Sequence, residues 1–284
     1  MTTGLSSTYR NIGKIRNRGI ELGFNGTAFH NNDVVINVFA NLTWNKNTVI
    51  KLADGSIEGS YQIVEEGRPY RQFYMIEYAG VNPENGRAQY YLNAEGDELT
   101  ESYQAAVDNG AKRYVGSAEP KVFGAFGTSG NFYGFDYALQ FNYRIGSKVF
   151  DSGHAFTGWG GTADRTPLLR VVTDSWTPEN PNAKYPQIMY RDAYGDVSGN
   201  NSSRWLMNGD YLRLSNITFG YTLPAKLTRK AFIQKLRIYT TFDNVWTWTA
   251  SDFVGYNPDT YASGVIAWQY PSVFTFTAGV QVTF

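Results

Sequence analysis

The clearest hydrophobic pattern in the chain lies in its last eleven residues, 274–284. Apolar side chains occupy every even position, and Thr, Gly or Gln occupy the odd positions. This period of two predicts a β-strand with one apolar and one polar face. A tilted strand of about eleven residues is long enough to cross a bilayer. The last strand of a soluble sandwich can alternate in the same way, but it is usually shorter, so the pattern favours a membrane strand.

The same alternation recurs earlier in the chain. Residues 18–28 and 34–45 flank the turn-forming sequence His30-Asn31-Asn32-Asp33, which predicts a hairpin. In residues 212–223 the apolar positions change parity near Ser215, which predicts a β-bulge. The other predicted strands are residues 70–79, 88–92, 121–129, 137–145, 236–248 and 274–284. The chain is therefore predicted to be all-β and antiparallel, with about eight to ten strands.

Two stretches lack strand periodicity. Residues 93–119 are acidic and weakly periodic, and they are predicted to form a loop. Residues from about 151 to 203 are rich in Gly and Pro, which predicts one long loop. A loop of this length is uncommon inside a compact soluble domain. It is ordinary on a membrane barrel, where long loops gather at one end and tight turns at the other.

The two faces of the predicted strands differ in charge. The more apolar face carries no charged residue in residues 34–44, 137–145, 217–223, 236–246 and 274–284. The opposite faces carry Asn37, Asn41, Gln140, Asn142, Arg144, Arg237, Asp243 and Gln281. Lipid exposure would select an uncharged face, and so would the buried core of a sandwich. The polar faces would suit a wet lumen or a solvated outer sheet, so both architectures remain open here.

Composition narrows the classes of function. The formal net charge is zero, with 25 basic and 25 acidic residues, so no net basic field is available to attract nucleic acid or an anionic bilayer surface. The chain has no Cys, which removes disulfides and thiolate chemistry. Aromatic residues make up 16% of the chain, and rings of this kind collect at membrane interfaces and on sugar-binding surfaces. No signal peptide is recognised at the N-terminus.

Candidate catalytic and metal-binding groups are few. Glu65 with Glu66, and Asp192 with Asp196, could suggest a glycosidase, but spacing within loops does not establish the separation that such an enzyme needs. The two histidines, His30 and His154, are far apart and have no Cys partners. Three glycines, Gly124, Gly127 and Gly130, do not have phosphate-loop spacing and are predicted to relieve crowding in a strand or to accommodate a bulge. No catalytic residue, metal site or cofactor is predicted, and the chain is not expected to be an enzyme.

Three segments resemble sequences that recur in the barrels of TonB-dependent receptors of the SusC/RagA type. They are NIGKIRNRGIEL at 11–22, NGDYLRLSNITFGYTLP at 208–224, and DNVWTW at 243–248 followed by GYNPD at 255–259. Weaker similarities are AGVNPENG at 79–86 and WTPENP at 176–181. Their order and spacing agree with the family over nearly the whole chain.

The resemblance implies an antiparallel transmembrane β-barrel, of which residues 1–284 form the C-terminal part. In this family a roughly 22-stranded barrel surrounds a separate plug domain, and neither the plug domain nor a signal peptide is recognised in this sequence. The expected location is the outer membrane of a Gram-negative cell. The expected function is TonB-dependent uptake of a large nutrient, such as an oligosaccharide or a peptide.

The resemblance also implies partners. These are a SusD-like lipoprotein at the barrel mouth, TonB acting through the plug domain, outer-membrane lipids and the barrel-assembly machinery. The apolar residues of the last strand and its terminal aromatic residue are expected to form the signal that this machinery reads. These residues are Phe274, Phe276, Val280, Val282 and Phe284.

Aromatic residues in the long loop are candidate ligand contacts, because an aromatic face can stack on a sugar ring. They are Trp159, Trp176, Tyr185, Tyr190, Tyr194 and Trp205. Loop packing or an interfacial girdle is the simpler interpretation of the same residues. Two alternatives from other classes stay open. One is a secreted or surface β-sandwich that binds glycans through these aromatic residues, and the other is a small closed barrel of about eight to ten strands.

Overall fold

The computed structural model of the chain describes residues 13–53, 55–157, 168–190, 201–255, 257–259, 262–268 and 270–284. The strands are β1 (Gly13–His30), β2 (Val34–Leu52), β3 (Ile57–Glu58), β4 (Gln62–Val64), β5 (Gln72–Ile76), β6 (Tyr78–Val81), β7 (Ala88–Tyr91), β8 (Leu99–Thr100), β9 (Lys112–Ser117), β10 (Val122–Phe132), β11 (Phe135–Ile145), β12 (Lys148–Asp151), β13 (Leu206–Asn208), β14 (Tyr211–Thr222), β15 (Lys235–Thr249), β16 (Val265–Ile266) and β17 (Thr275–Thr283). The helices are α1 (Tyr103–Asp108), α2 (Ser152–Thr157), α3 (Leu169–Thr173) and α4 (Ala225–Thr228). The described helices are all short, and none has the length and apolar character needed to cross a bilayer.

The longest strands form one seven-stranded sheet in the order β1-β2-β10-β11-β14-β15-β17. The pairings from β2 to β17 are all antiparallel. The predicted bulge near Ser215 is confirmed, because the β14–β15 register shifts between Leu214 and Asn216. The all-β antiparallel prediction is confirmed. Three smaller sheets have the orders β13-β12-β16, β3-β4-β5-β9 and β6-β7-β8.

Connections in the large sheet differ strongly in length between its two ends. At one end, residues 31–33 join β1 to β2, and Tyr133 and Gly134 alone join β10 to β11. Both of these residues have positive φ, 50° and 90°, as the tightest hairpin turns require. At the other end, residues 53–121, 146–210 and 250–274 connect successive strands of the sheet. This asymmetry is typical of membrane barrels.

The alternative of a small closed barrel was wrong. The sheet is not closed, because β1 and β17 lie at opposite edges. Seven of the nine predicted strands lie in this sheet. Residues 70–79 and 88–92 do form strands, but these are short and pair within the smaller sheets.

The prediction that residues 93–119 form a loop was also wrong. This stretch contains β8, α1 and β9. Ser102 caps α1, accepting a hydrogen bond from the Ala105 amide at 3.2 Å, and Ala106 is fully buried. Strand β9 pairs with β5, which lies some forty residues earlier, as in the Ile76–Lys112 pair. Elements this short show no periodicity, and their stability comes from tertiary pairing.

The chain divides into two compact units. Unit 1 comprises residues 1–18, 46–119 and 152–205, and unit 2 comprises residues 19–45, 120–151 and 206–284. A core cluster of unit 1 consists of Ile76, Ala88, Tyr90, Ala106 and Ala111. A smaller cluster in unit 2 consists of Val149, Met207, Phe253 and Ile266.

Candidate functional site

One face of the seven-stranded sheet is mainly apolar, with Thr128 and Thr240 among its apolar residues. The cross-strand registers bring the even residues of β2 opposite those of β10, and these opposite the odd residues of β11. Aromatic pairs cross the strand boundaries on this face. The ring centroids are 5.0 Å apart in Phe126–Phe141, 4.4 Å in Phe135–Tyr221 and 5.2 Å in Phe242–Phe276. These are favourable distances for ring pairs.

The apolar face is uncovered within unit 2. Phe219, Trp246 and Val280 have 50%, 61% and 62% of their side chains exposed. The glycan-binding sandwich predicted that a second sheet would bury such residues, and the structure does not support it. None of the registered residues on this face of β2, β10, β11, β14, β15 and β17 is charged. A surface of this kind is stable against hydrocarbon, where a Lys or Arg costs about 2 to 4 kcal/mol at mid-bilayer.

The glycines of β10 make room for rings from neighbouring strands. A Cβ on Gly124 would lie 2.7 Å from the Tyr143 hydroxyl, which donates a hydrogen bond across the strand to the Asn41 carbonyl at 3.0 Å. Likewise, a Cβ on Gly127 would collide with the ring of Phe39. The prediction that these glycines relieve crowding in a strand is confirmed.

The opposite face of the same sheet is polar and internally paired. The Arg237 guanidinium of β15 pairs with Asp136 of β11, with an Nε to Oδ1 distance of 2.9 Å. The Asn216 amide of β14 donates to Asp243 of β15 at 2.7 Å. These residues satisfy one another, so this face can line a water-filled space with ordered charge.

Arg213 lies at the centre of a polar cluster on this face. Its side chain is 8% exposed, and it contacts Asp259 at 3.0 Å and the Asn257 side-chain oxygen at 2.6 Å. Arg144 of β11 contacts the other oxygen of Asp259 at 3.1 Å. Residues 257–259 are thereby tied to β11 and β14. The sequence analysis identified Arg144 as a polar-face residue but missed this cluster, because no sequence pattern pairs residues of adjacent strands with a loop some 45 to 115 positions later.

The loop aromatic residues do not form one surface. Tyr185 and Trp205 are buried, with ring centroids 6.2 Å apart, and the Arg204 guanidinium lies 5.0 Å from the Trp205 ring. Burial raises the pKa of Tyr185 above its ordinary value. Trp176 is half-buried and donates from its indole nitrogen to the Pro83 carbonyl at 3.0 Å. Tyr190 is 72% exposed.

Two of the six candidate ligand contacts, Trp159 and Tyr194, lie outside the described residues. Tyr190 is therefore the most exposed of the described candidates. Packing accounts for the burial of Tyr185 and Trp205.

The carboxylate candidates that lie among the described residues form local ion pairs and hydrogen bonds. Glu65 contacts Arg68 at 2.9 Å and accepts a hydrogen bond from the Tyr114 hydroxyl at 2.7 Å. Glu66 accepts from the Leu52 amide at 2.8 Å. The other pair, Asp192 and Asp196, lies outside the described residues. The described residues include no group of three or more side chains that could hold a metal ion.

The proposed barrel-assembly residues lie on and beside β17. Phe276 and Val280 are more than half exposed on the apolar face, and Phe276 packs against Phe242 of β15. The terminal Phe284 is 80% exposed. Their role in assembly remains a prediction.

Comparisons with known proteins agree with this geometry. No protein-family model matches the chain. TonB-dependent receptor P3 of Formosa agariphila is 28% identical over 99% of the chain and 30% of its own length. TonB-dependent receptor SusC of Bacteroides thetaiotaomicron is 23% identical over 97% of the chain and 27% of its own length.

Solved structures give the same result. The structure of the RagAB peptide transporter matches with a TM-score of 0.82 and 26% identity, over 99% of this chain and 31% of that one. The chain spans about a third of the length of the relatives that it matches. It is similar over nearly its whole length to TonB-dependent receptors of the SusC/RagA type, and it has the fold of a C-terminal portion of their β-barrel.

Proposed function

We propose that this chain forms part of the wall and lumen lining of an outer-membrane transporter that takes up a large nutrient in a TonB-dependent manner. The observation that carries the proposal is the seven-stranded sheet, with an uncovered apolar face and a paired polar face. The apolar face would contact lipid, and the polar face would line the transport path. The chain would perform no covalent chemistry.

The proposed substrate class and partners rest on the similarity of this chain to the receptors named above. Since RagAB is named as a peptide transporter, a peptide is one candidate substrate, and an oligosaccharide is the other. A SusD-like lipoprotein would capture the substrate at the mouth, and TonB would deliver energy through a plug domain. Lipids of the outer membrane would surround the apolar face. The barrel-assembly machinery would recognise the last strand. Loop aromatic residues would contact the substrate, and Tyr190 is the most exposed of those described.

Uptake in the source cell tests this proposal. The gene that encodes the chain is deleted and then restored, and accumulation of labelled oligosaccharides and peptides is measured with and without a protonophore. We expect deletion to abolish uptake of one of these substrates, restoration to recover it and the protonophore to block the recovered uptake, since TonB depends on the inner-membrane proton gradient. Recovery of the native polypeptide as a monomer in buffer without detergent would contradict the proposal.

A further inference from the structure

The connection between β14 and β15 is strongly basic. Residues 224–235, here called the basic turn, carry Lys226, Arg229, Lys230 and Lys235, and no acidic residue occurs anywhere in residues 211–242. All four cations are exposed. Among the described residues, none of them forms an ion pair within 4.0 Å. The basic turn therefore concentrates positive charge locally, in a chain whose formal net charge is zero.

Phe232 occupies a position in the basic turn that folding alone does not explain. It follows the 3-10 turn Arg229–Ala231 and donates its amide to the Arg229 carbonyl at 3.1 Å. Its φ of 60° is left-handed, where Gly or Asn is the usual residue. Its side chain is 90% exposed, so core packing gains nothing from the ring. A strained, exposed aromatic residue points to a contact outside the unit.

The basic turn lies at the end of the sheet where the apolar face also ends. Just before the turn, the Thr222 amide donates to the Gly134 carbonyl, and near its end the Gln234 amide donates to the Thr283 carbonyl, both at 2.8 Å. Exposed apolar side chains occur in the turn and at this end of the sheet: Leu227 of the turn is 61% exposed, and Tyr133, next to Gly134, is 71% exposed. Cations thus alternate with apolar groups along the edge of a lipid-facing surface.

We propose that the basic turn binds the phosphate headgroups of anionic phospholipids at the membrane surface. The cations would contact the phosphates, and Phe232 and Leu227 would insert at the level of the headgroups. This inference rests on the proposed function, because it requires the apolar face to lie in a bilayer. A lipid surface fits better than a protein partner, since the cations are spread along an edge continuous with the lipid-facing sheet.

The test uses the complete receptor in nanodiscs of phosphatidylethanolamine, titrated with fluorescent phosphatidylglycerol. The double variant Arg229→Gln/Lys230→Gln should bind phosphatidylglycerol more weakly, by about fivefold for each cation removed. The matched control is Lys46→Gln/Lys51→Gln, which removes the same charge from two exposed positions of β2. The control should bind like the unsubstituted receptor. Equal binding by the double variant and its control would overturn the inference.

A second variant separates lipid contact from folding. Phe232→Gly should weaken phosphatidylglycerol binding while keeping or raising the thermal stability, because Gly adopts the left-handed backbone without strain. Unchanged phosphatidylglycerol binding by this variant would contradict a contact between Phe232 and lipid. If the double variant instead loses crosslinks to a periplasmic protein and keeps its affinity for phosphatidylglycerol, the surface binds protein and the inference is wrong.

Different results would contradict the proposed function and the lipid-binding inference. A receptor that does not enter nanodiscs at all contradicts both the proposed function and this inference. A receptor that inserts but binds phosphatidylglycerol and phosphatidylcholine equally well contradicts only the inference.

Discussion

The two compact units place apolar and charged side chains in opposite ways. In unit 1, Phe73 and Tyr90 are fully buried, and the charged groups are at least partly exposed, as in the Lys112–Glu58 pair. In the sheet of unit 2, Phe219 and Trp246 are at least half exposed, while the Arg213 side chain is 8% exposed. Unit 1 follows the pattern of a domain in water, and the sheet of unit 2 follows the pattern of a wall between lipid and water.

The difference shows that strand alternation alone does not reveal which face is buried. Both units contain alternating strands, such as β7 in unit 1 and β11 in unit 2. What separates them is strand length and neighbours. Short strands such as β7 pack against α1 in a closed core, whereas β11 runs eleven residues between equally long partners in one open layer. Substitutions that act differently in the two units test this distinction.

The largest effect is expected in the core of unit 1. Phe73→Ala should lower the free energy of unfolding of this unit by about 3 to 5 kcal/mol, because it leaves a cavity at a fully buried site. The measurement is hydrogen exchange of residues 57–117 in the complete receptor. Ile57→Ala is the control, since Ile57 lies in the same small sheet and is 46% exposed. Equal effects of the two changes would contradict the assignment of a water-type core.

A charge on the apolar face of unit 2 should have the next largest effect. Leu139→Lys places a cation between Thr128 and Ile217 and should cost about 2 to 4 kcal/mol in a bilayer. Gln140→Lys is the matched control, because the next residue of the strand faces the polar side. The measurement is urea unfolding of receptor folded in lipid vesicles. If Gln140→Lys is the more harmful change, the assignment of faces is reversed.

Loss of the buried cation on the polar face should have a smaller effect. Arg213→Gln should destabilise the attachment of residues 257–259 by about 1.5 to 3 kcal/mol, the usual contribution of a hydrogen bond to a charged group. Hydrogen exchange of the Asp259 amide reports this attachment. In a double-mutant cycle, Arg213→Gln should add little once Asp259→Asn is present. Full additivity of the two changes would show that the Arg213–Asp259 contact contributes nothing.

The smallest effect is a pH dependence in unit 1. The hydrogen bond from Asn85 holds the pKa of Glu101 below its ordinary value, with further contributions from Asn82 and Arg87, while partial burial opposes the shift. A carboxylate with a depressed pKa contributes stability above its unfolded-state pKa and loses it as the pH falls through the folded-state pKa.

Glu101→Gln tests this dependence. The stability difference between the unsubstituted protein and the variant should be no more than about 1 kcal/mol at neutral pH, because the contact is near the surface. The difference should shrink on acidification below the ordinary pKa of Glu. The measurement is thermal melting across about pH 3 to 7, the range in which carboxylates titrate. A stability difference that grows on acidification would show that the pKa of Glu101 is not lowered in the folded protein.

Long, uninterrupted alternation was the part of the fold that the sequence could predict. Residues 34–44 and 274–284 specify their strands, because every second side chain is apolar and no tertiary information is needed. The strand predicted to end at Ser129 continues to Phe132, and its partner begins at Phe135 rather than Tyr137. The predicted turn of residues 130–136 was thus too long, and the rings of Phe132 and Phe135 pack across the extended hairpin with centroids 5.7 Å apart.

The candidate site was less predictable than the fold. Polar-face residues such as Arg144 and Arg237 could be identified from strand parity, but their partners Asp259 and Asp136 could not. Pairing between distant residues depends on strand order, which alternation does not determine. The same reason applies to Tyr185 and Trp205: an aromatic residue in a loop looks identical in sequence whether it is buried or exposed.

The turn formed by Tyr133 and Gly134 sets an order of events during folding. With two residues between them, β10 and β11 can pair through local contacts, and hairpins of this kind form in about 1 to 10 μs. Pairing of β10 with β2 must first close residues 53–121, which costs chain entropy before any contact repays it. We therefore expect the β10–β11 hairpin to form early, like the β1–β2 hairpin across residues 31–33, and the pairing of β2 with β10 to follow as a later and slower step.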